Sequence, residues 1–487
     1  METKDVEKES LKYSKSMKNQ LTICFFLLGI INHLGTILVM TGSRLLSYGL
    51  GLSKAFYLYT SASTLFNILT RFINSKYLVH ISYKRRIQFL CFWMSSGYLL
   101  MAAVLLGYNK VKDAGKGDKY NVLFFSLSLI PSFILGTSYA LGESAILAYL
   151  SKFPKNLVGG FSSGTGLSGL FSASLNFLSQ FFDSLKPTKL YGFLSPLGPI
   201  YLFLFILTEK IYNKANSDHK FGPLLDQDEY ETQTNQNINS VDGDDNKNTD
   251  DDSTKKNKPM SLENINYVFK CVGRIIINLF LIYLSQFYTL NAMIVKNVAR
   301  TDIKLFLPLK CSREVGGHFY RSGKYEFLLI FFQIGMFTSK SMLFIAKKIQ
   351  PIEIYTCSIL CILTFFMLDY FLPFCNFYFF FPLVFLLGML AGGTYVAAFY
   401  SILSNESLGE EYKDVSVNCA TIANDCGTFL SGIIGIIIGN TILKNEKLFE
   451  KFIQDDKLKE GINCCKIEND QHISVPCTKN LLLNLFS

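Results

Sequence analysis

Four ionisable side chains lie inside long apolar segments of this 487-residue chain, and they are the first candidates for chemistry: Arg71, Glu143, Lys340 and Asp425. A charge inside a membrane-spanning segment is costly, so each one marks a functional site unless it is paired or reaches the interface. Glu143 must face a cavity, meet a cation or be protonated. Lys340 could supply that cation or bind an anionic group of a substrate. The alternative for this pair is a static ion pair that fixes helix register.

Asp425 lies near the middle of the last apolar segment, where a carboxylate could carry a coupling proton. Arg71 lies nearer the end of its segment, and we expect its long side chain to reach the membrane interface. His33 is the one histidine of the sequence that falls in an apolar segment. We expect a structural, hydrogen-bonded role for it rather than proton transfer.

The segments that carry these residues have the length of membrane-spanning helices. Apolar residues make up 49 % of the chain and recur in stretches of roughly 20 residues, long enough to cross a bilayer. Without water to satisfy the backbone, such stretches must be helical. We predict an all-α polytopic membrane protein with about eleven transmembrane helices. The predicted spans are 21–41, 53–74, 88–108, 121–150, 157–182, 189–208, 268–292, 325–345, 352–372, 377–403 and 415–440.

Charge and motifs narrow the class of protein further. The net charge of +9 comes largely from Lys and Arg clusters between apolar segments, as at Lys84 to Arg86, which indicates contact with membrane lipid and not with nucleic acid. No nucleotide-binding P-loop and no catalytic motif occurs. The cysteines and histidine of the tail have spacings that match no strong zinc pattern. We therefore predict no enzyme activity, no catalytic residue, no cofactor and no metal site.

A polar stretch divides the chain into two parts. The segment from about Lys214 to Pro259 is rich in Asn, Asp, Thr and Lys and is expected to be disordered. The predicted organisation is an N-terminal segment at 1–20, a six-helix half at 21–208, a linker at 209–267, a five-helix half at 268–442 and a tail at 443–487. The distribution of Lys and Arg favours a cytosolic N-terminus.

A repeated motif relates the two halves. The fifth predicted span, from Gly164, and the eleventh, from Gly427, both contain G-T-x-L-S-G. An offset of six spans is typical of the parallel repeats of major-facilitator transporters, so we predict a major-facilitator-like two-half bundle; the alternative is chance similarity. Small residues at every fourth position permit either tight static packing or sliding of one helix on another. These positions are Gly160, Gly164 and Ser168 in the fifth span and Gly427, Ser431 and Gly435 in the eleventh.

At these same residues the sequence resembles the battenin family of lysosomal and vacuolar membrane proteins. The resemblance runs from about Phe26 to Gly432 and is most specific at Leu141-Gly142-Glu143 and the following Ser162-Ser163-Gly164-Thr165-Gly166. Further matches include Asn32, Gln333, Ser339, Tyr395 and Asp425. The sequence departs from the family at Gln286, where an acidic residue is usual, and at Lys340, where an Arg is usual. Lys340 keeps the positive charge but lacks the bidentate hydrogen bonding by which a guanidinium binds phosphate or carboxylate.

The resemblance implies a secondary transporter in the lysosomal or vacuolar membrane. Its substrate would be a small polar metabolite of the glycerophosphodiester or basic amino acid class, with effects on organelle pH and amino acid homeostasis. Protons are a second candidate partner, through Asp425. Glu143, Lys340 and Asp425 would line the central cavity, with Asn32, Gln286 and Tyr395 as polar contacts. The pair Leu224 and Leu225 resembles a dileucine signal for sorting adaptors.

Two other functions fit the same sequence. The first is a membrane scaffold that carries no substrate and recruits trafficking or proton-pump partners through the linker and the tail. The second is a nucleoside carrier of the equilibrative type, which an eleven-span chain also suits. The residues alone do not choose between these functions.

Overall fold

The computed structural model describes residues 15–52, 55–78, 81–115, 117–150, 153, 157–179, 182–220, 260–294, 324–342, 351–372, 374–405, 407–440, 467–468 and 471–472. The central part of the predicted linker, residues 221–259, lies outside this set together with its dileucine, Leu224 and Leu225. Helix extends into both ends of the predicted linker, because one helix runs to Lys220 and the next described helix begins at Leu262.

The N-terminal half consists of helices joined by short connections. They are α1 (Lys15–Thr41), α2 (Ser43–Gly49), α3 (Tyr57–Lys76), α4 (Tyr83–Asp113), α5 (Gly117–Leu150), α6 (Leu157–Leu178), a 3-10 turn (Asp183–Leu185), α7 (Pro187–Leu194) and α8 (Leu197–Lys220). Pro187 occupies the first turn of α7, where its missing N–H costs no hydrogen bond.

The C-terminal half is also built of helices. It contains α9 (Leu262–Tyr288) with a π-helical end (Thr289–Ile294), α10 (Lys324–Ser341), α11 (Ile352–Phe371), a 3-10 turn (Phe377–Phe379), α12 (Phe380–Ser404) and α13 (Glu410–Asn440). The Ser261 side chain caps α9 by accepting from the N–H of Asn264. Two short antiparallel strands in the tail, β1 (Ile467–Glu468) and β2 (Gln471–His472), pair Ile467 with His472.

The prediction of an all-α polytopic membrane protein is confirmed. Within the described residues, eight helical segments are long and apolar enough to cross a membrane, and they correspond to α1, α4, α5, α7 with α8, α9, α11, α12 and α13. The other three predicted spans coincide with α3, α6 and α10, which do not meet that criterion. The count of eleven is therefore not confirmed. The sequences of α3 and α6 are rich in Ser, Thr, Asn and Gly, which lowers their hydropathy.

The helix pairs follow a twofold pattern. Within the halves, α1 packs along α6 and α9 packs along α13, and these pairs are equivalent after a shift of six predicted spans. The two most extensive contacts between the halves within the described residues, which we call seams, are those of α6 with α10 and of α3 with α13. These two seams are also equivalent to each other. We call the membrane face at which α1 begins the proximal face and the opposite one the distal face.

The first glycine of each G-T-x-L-S-G motif contacts the backbone of its own half. A side chain at Gly164 would overlap the carbonyl oxygen of Phe26 in α1. A Cβ at Gly427 would lie 2.5 Å from the carbonyl oxygen of Phe280 in α9. Gly160 packs in the same way on Thr22, at 3.0 Å from its carbonyl oxygen. Each glycine thus lets two helices of one half approach closely.

The last glycine of each motif faces the other half. Gly169 packs against Gln333 across the α6/α10 seam, and Gly432 packs against Ser61 across the α3/α13 seam. Gly435, one turn beyond, lies against the Tyr57 ring of α3, at 3.2 Å. The two motifs therefore occupy equivalent places in the bundle, as expected of a true repeat.

The serines of the motifs also behave alike. Ser168 donates to the carbonyl oxygen of Thr165 at 2.8 Å, and Ser431 donates to that of Thr428 at 2.6 Å. Both serines are buried. By bonding within their own helix they satisfy their hydroxyls and leave a smooth contact surface for the neighbouring helix.

Candidate functional site

The α3 helix presents a polar face to the protein interior and an apolar face outwards. Its buried positions include Thr60, Ser63, Thr64, Asn67, Arg71 and Asn74, whereas Leu58, Leu65, Leu69 and Phe72 are exposed. In a lipid environment the exposed leucines and phenylalanine suit the bilayer, and the polar groups must find partners inside the bundle. The local sequence therefore places Arg71 in the interior.

Arg71 joins the two halves through two carboxylates. Its Nη2 donates to Oε2 of Glu143 in α5 at 2.5 Å, and its Nε donates to Oδ2 of Asp425 in α13 at 2.6 Å. Its Nη1 donates to Ser144 Oγ at 3.0 Å. The side chain is 1 % exposed, so the prediction that Arg71 reaches the membrane interface is wrong. The two anionic partners offset part of the cost of taking the guanidinium out of water.

Glu143 is held from three sides. Besides Arg71, it receives a hydrogen bond at Oε1 from the Tyr395 hydroxyl of α12, at 2.7 Å. The Nε2 atom of His33 in α1 lies 3.3 Å from the same oxygen. The cation that compensates Glu143 is therefore Arg71 and not Lys340, and every oxygen of this buried carboxylate has a partner.

Lys340 has no carboxylate within 4 Å among the residues that the structure describes. Its Nζ donates to the Thr165 hydroxyl of α6 at 2.9 Å and lies 4.3 Å from the centre of the Tyr395 ring. The side chain is 5 % exposed. An ammonium over an aromatic face gains roughly 2 kcal/mol when it is desolvated, which offsets only part of the cost of burial. This cation can accept an anionic partner.

Asn32 and Gln286 lie outside this set of direct contacts. Asn32 donates to the carbonyl oxygen of Tyr139 at 3.2 Å, and its Oδ1 receives no hydrogen bond from any described residue. Gln286 is buried, and its Oε1 likewise lacks a donor in the described part of the chain. Asn32 thus borders the site through Tyr139, whereas no hydrogen bond within the described residues joins the Oε1 atom of Gln286 to the site.

We refer to the seven contacting residues as the polar centre: His33, Arg71, Glu143, Thr165, Lys340, Tyr395 and Asp425. The N-terminal half contributes the first four and the C-terminal half the last three. Two carboxylates balance two cations while the imidazole is neutral. Since α3 meets α13 and α6 meets α10 at these residues, a motion that parts the halves must break contacts of the polar centre.

The chain matches the family described as CLN3 protein over residues 23–445. The chain belongs to the CLN3 protein family. Its similarity to battenin of Dictyostelium discoideum is 24 % identity over 438 residues, covering 87 % of this chain and 95 % of that protein. Protein btn1 of Schizosaccharomyces pombe is 24 % identical over 323 residues, with 64 % and 72 % covered.

Solved structures of low sequence identity share the fold of this CLN3 family member. A bacterial homologue of the iron transporter ferroportin in its outward-facing state aligns with a TM-score of 0.55 at 10 % identity, over 90 % of this chain and 96 % of that one. The proton:xylose symporter of the major facilitator superfamily, bound to a brominated glucose, aligns with a TM-score of 0.57 at 12 % identity, over 91 % and 94 %. The predicted major-facilitator-like two-half bundle is confirmed.

Proposed function

We propose that this CLN3 family protein is a secondary transporter that moves a small polar metabolite across the lysosomal or vacuolar membrane. The observation that carries the proposal is Lys340, a buried cation at the junction of the two halves that lacks a carboxylate partner among the described residues. The resemblance to battenin supports the location, and the major-facilitator fold supports alternating access around the polar centre. In a static helix bundle, the cost of burying this lysine would exceed what its contacts with Thr165 and Tyr395 return.

The substrate class follows from which charges are already paired. Arg71 occupies both Glu143 and Asp425, so a cationic substrate would have to displace it. An anion meets no such competitor at Lys340, where Thr165 adds a hydroxyl. Of the two classes that the family resemblance suggests, this arrangement favours a glycerophosphodiester. A basic amino acid could place its carboxylate at Lys340, but its side chain would need a carboxylate released by Arg71.

Protons would couple to transport through Asp425. Its Oδ2 contacts Arg71, whereas the one hydrogen-bonding side chain that the described residues place near its Oδ1 is the amide of Asn67, at 3.5 Å. Protonation would remove the charge that Arg71 binds across the seam, and the two halves would then be held less tightly. Substrate binding can shift the same equilibrium only by binding one state better than the other. Effects on organelle pH and amino acid content would follow from this transport.

Two experiments test the proposal. The first compares the metabolites of isolated lysosomes or vacuoles with and without the protein. The second measures flux of the candidate metabolite in proteoliposomes. A metabolite that accumulates without the protein should move in the liposomes. Lys340→Ala should lower that flux at least about 10-fold, the loss of roughly 1.4 kcal/mol in binding. The matched control is Lys76→Ala, an exposed lysine at the proximal end of α3, which should leave flux unchanged. If no metabolite accumulates and none moves, the protein is not a transporter.

The scaffold and nucleoside alternatives give different results in the same assays. Deleting residues 227–258 while keeping Leu224 and Leu225 for sorting should spare a transporter and disable a scaffold. Glu143→Gln and Lys340→Ala should leave a scaffold active. A nucleoside carrier should move a nucleoside without a pH gradient, and this flux should be insensitive to Lys340→Ala because a neutral substrate needs no cation.

A further inference from the structure

His33 is buried in the polar centre although it is not needed to balance charge there. The side chain lies in α1 and is 3 % exposed. Its ring packs edge to face on Tyr139 and on Phe161, with ring centres 4.7 Å and 6.1 Å apart. Its Nε2 lies 3.3 Å from Oε1 of Glu143, and its Nδ1 has no hydrogen-bond partner among the described residues.

This geometry selects one form of the imidazole. A neutral ring with its proton on Nε2 donates to Glu143 and leaves only a lone pair at Nδ1. A charged ring would bury an N–H at Nδ1 without an acceptor, which costs about 1 to 3 kcal/mol. It would also add a positive charge near Arg71 and Lys340. The closed centre therefore accommodates the neutral imidazole.

The groups that face His33 come from several helices. Glu143 and Tyr139 belong to α5, Arg71 to α3 and Lys340 to α10. From α6 the described contact is the uncharged ring of Phe161. Glu143 favours a charged imidazole, whereas the two cations oppose it. Since Glu143 is already compensated by Arg71 at 2.5 Å, the attraction that it has left for a second cation is reduced.

We propose that His33 is a proton-carrying residue that binds a proton at Nδ1 only when the two halves part and water reaches that atom. The inference rests on the proposed function in one respect, namely that the polar centre opens alternately. A hydronium ion of the entering water then donates the proton to Nδ1: one of its O–H bonds breaks as the N–H bond forms, and the water molecule that remains accepts the new N–H hydrogen bond. By linkage, acid must favour the open state, and closing must expel the proton.

The expected size of the pH effect on the ratio of open to closed states follows from the binding of one proton. An imidazole with the ordinary pKa of about 6.5 that binds a proton in only one of two states shifts their ratio by about 30-fold between pH 7.5 and pH 5. A glutamine in its place can still donate to Glu143 but does not titrate. The pH dependence assigned to this residue should therefore disappear, while the closed structure is kept.

The inference can be tested by measuring distances between pairs of spin labels in lipid nanodiscs without substrate. The labels are attached to genetically encoded unnatural amino acids. One pair, Leu178 and Tyr378, reports on the distal face, and the other, Lys76 and Leu262, on the proximal face; all four are exposed. We expect acidification to shift the wild-type population towards an open form by up to about 30-fold. His33→Gln, or His33→Asn if that variant does not fold, should remove the share of this shift that the imidazole contributes and leave only the share that protonation of Asp425 contributes.

Tyr139→Phe is the matched control, because it removes a titratable neighbour and keeps the ring against His33. It should retain the wild-type response. A wild-type distribution that is the same at both pH values, or a His33→Gln distribution that shifts as much as wild type, overturns the inference. Because no substrate is present, an acid-dependent opening that needs His33 stands even if the protein moves no metabolite.

Discussion

Replacing Arg71 by methionine should destabilise the protein more than any other single change in the polar centre. The substitution keeps a long flexible side chain but leaves two buried carboxylates without their cation. Removing one partner of a buried ion pair typically costs about 3 to 5 kcal/mol, because an uncompensated charge remains. Arg71 also donates to Ser144 at 3.0 Å, and that contact would be lost too.

The two carboxylates should not contribute equally to this loss. Without Arg71, Glu143 still receives hydrogen bonds from Tyr395 at 2.7 Å and from His33 at 3.3 Å. Among the described residues, Asp425 would keep at most the Asn67 amide, which lies 3.5 Å from Oδ1 and can bond the Gly136 and Ser63 carbonyl oxygens instead. Neutralising Asp425 should therefore rescue more stability than neutralising Glu143. We expect Arg71→Met with Asp425→Asn to recover most of the loss, and Arg71→Met with Glu143→Gln to recover clearly less.

Steric trapping in bicelles gives the free energy of unfolding of each variant at neutral pH without extrapolation from denaturant. The single variants Asp425→Asn and Glu143→Gln complete two double-mutant cycles, which separate the pairwise coupling from the effect of each change alone. A loss below about 1 kcal/mol for Arg71→Met would refute the view that buried charge dominates here. Equal rescue by the two neutralisations would refute the assignment of the weaker support to Asp425.

Two further substitutions test packing and the second contact of Glu143. Gly164→Ala should sharply reduce the yield of folded, monodisperse protein in size-exclusion chromatography, because the new Cβ would overlap the Phe26 carbonyl and force α1 away from α6. The control is Gly49→Ala at an exposed position, where no atom lies within 4 Å of the new Cβ. This variant should behave as wild type. Tyr395→Phe removes a hydrogen bond to Glu143 and keeps the ring, so the free energy of unfolding should fall by about 1.5 to 3 kcal/mol. An unchanged free energy of unfolding would mean that this hydroxyl does not stabilise the buried carboxylate.

The sequence predicts the helices and their repeat well, because apolar length and small-residue spacing are local properties. It predicts less well which charges meet. Lys340 looked like the partner of Glu143, yet Arg71 takes that place and also reaches Asp425. The contact depends on how α3, α5 and α13 cross, which no local pattern of one chain encodes.

A signal for Arg71 was nevertheless present in α3. Thr60, Thr64, Asn67, Arg71 and Asn74 recur at spacings of three and four, which places them on one face of a helix. A polar face in a membrane span must turn towards the protein, and Arg71 lies on it. Judging Arg71 by its distance from the helix end ignored the direction of its side chain.

The two seams between the halves differ in what holds them, and this difference has a mechanical consequence. The α3/α13 seam contains an ion pair, Arg71 with Asp425, whereas the α6/α10 seam contains glycines and a hydrogen bond from the Lys340 ammonium to the uncharged Thr165 hydroxyl. Separating the first seam requires the loss of a Coulombic attraction, while sliding along the second requires only the exchange of hydroxyl contacts. In the proposed transport cycle, protonation would therefore loosen the first seam, whereas side-chain volume would limit movement along the second, although the same G-T-x-L-S-G motif lies at both.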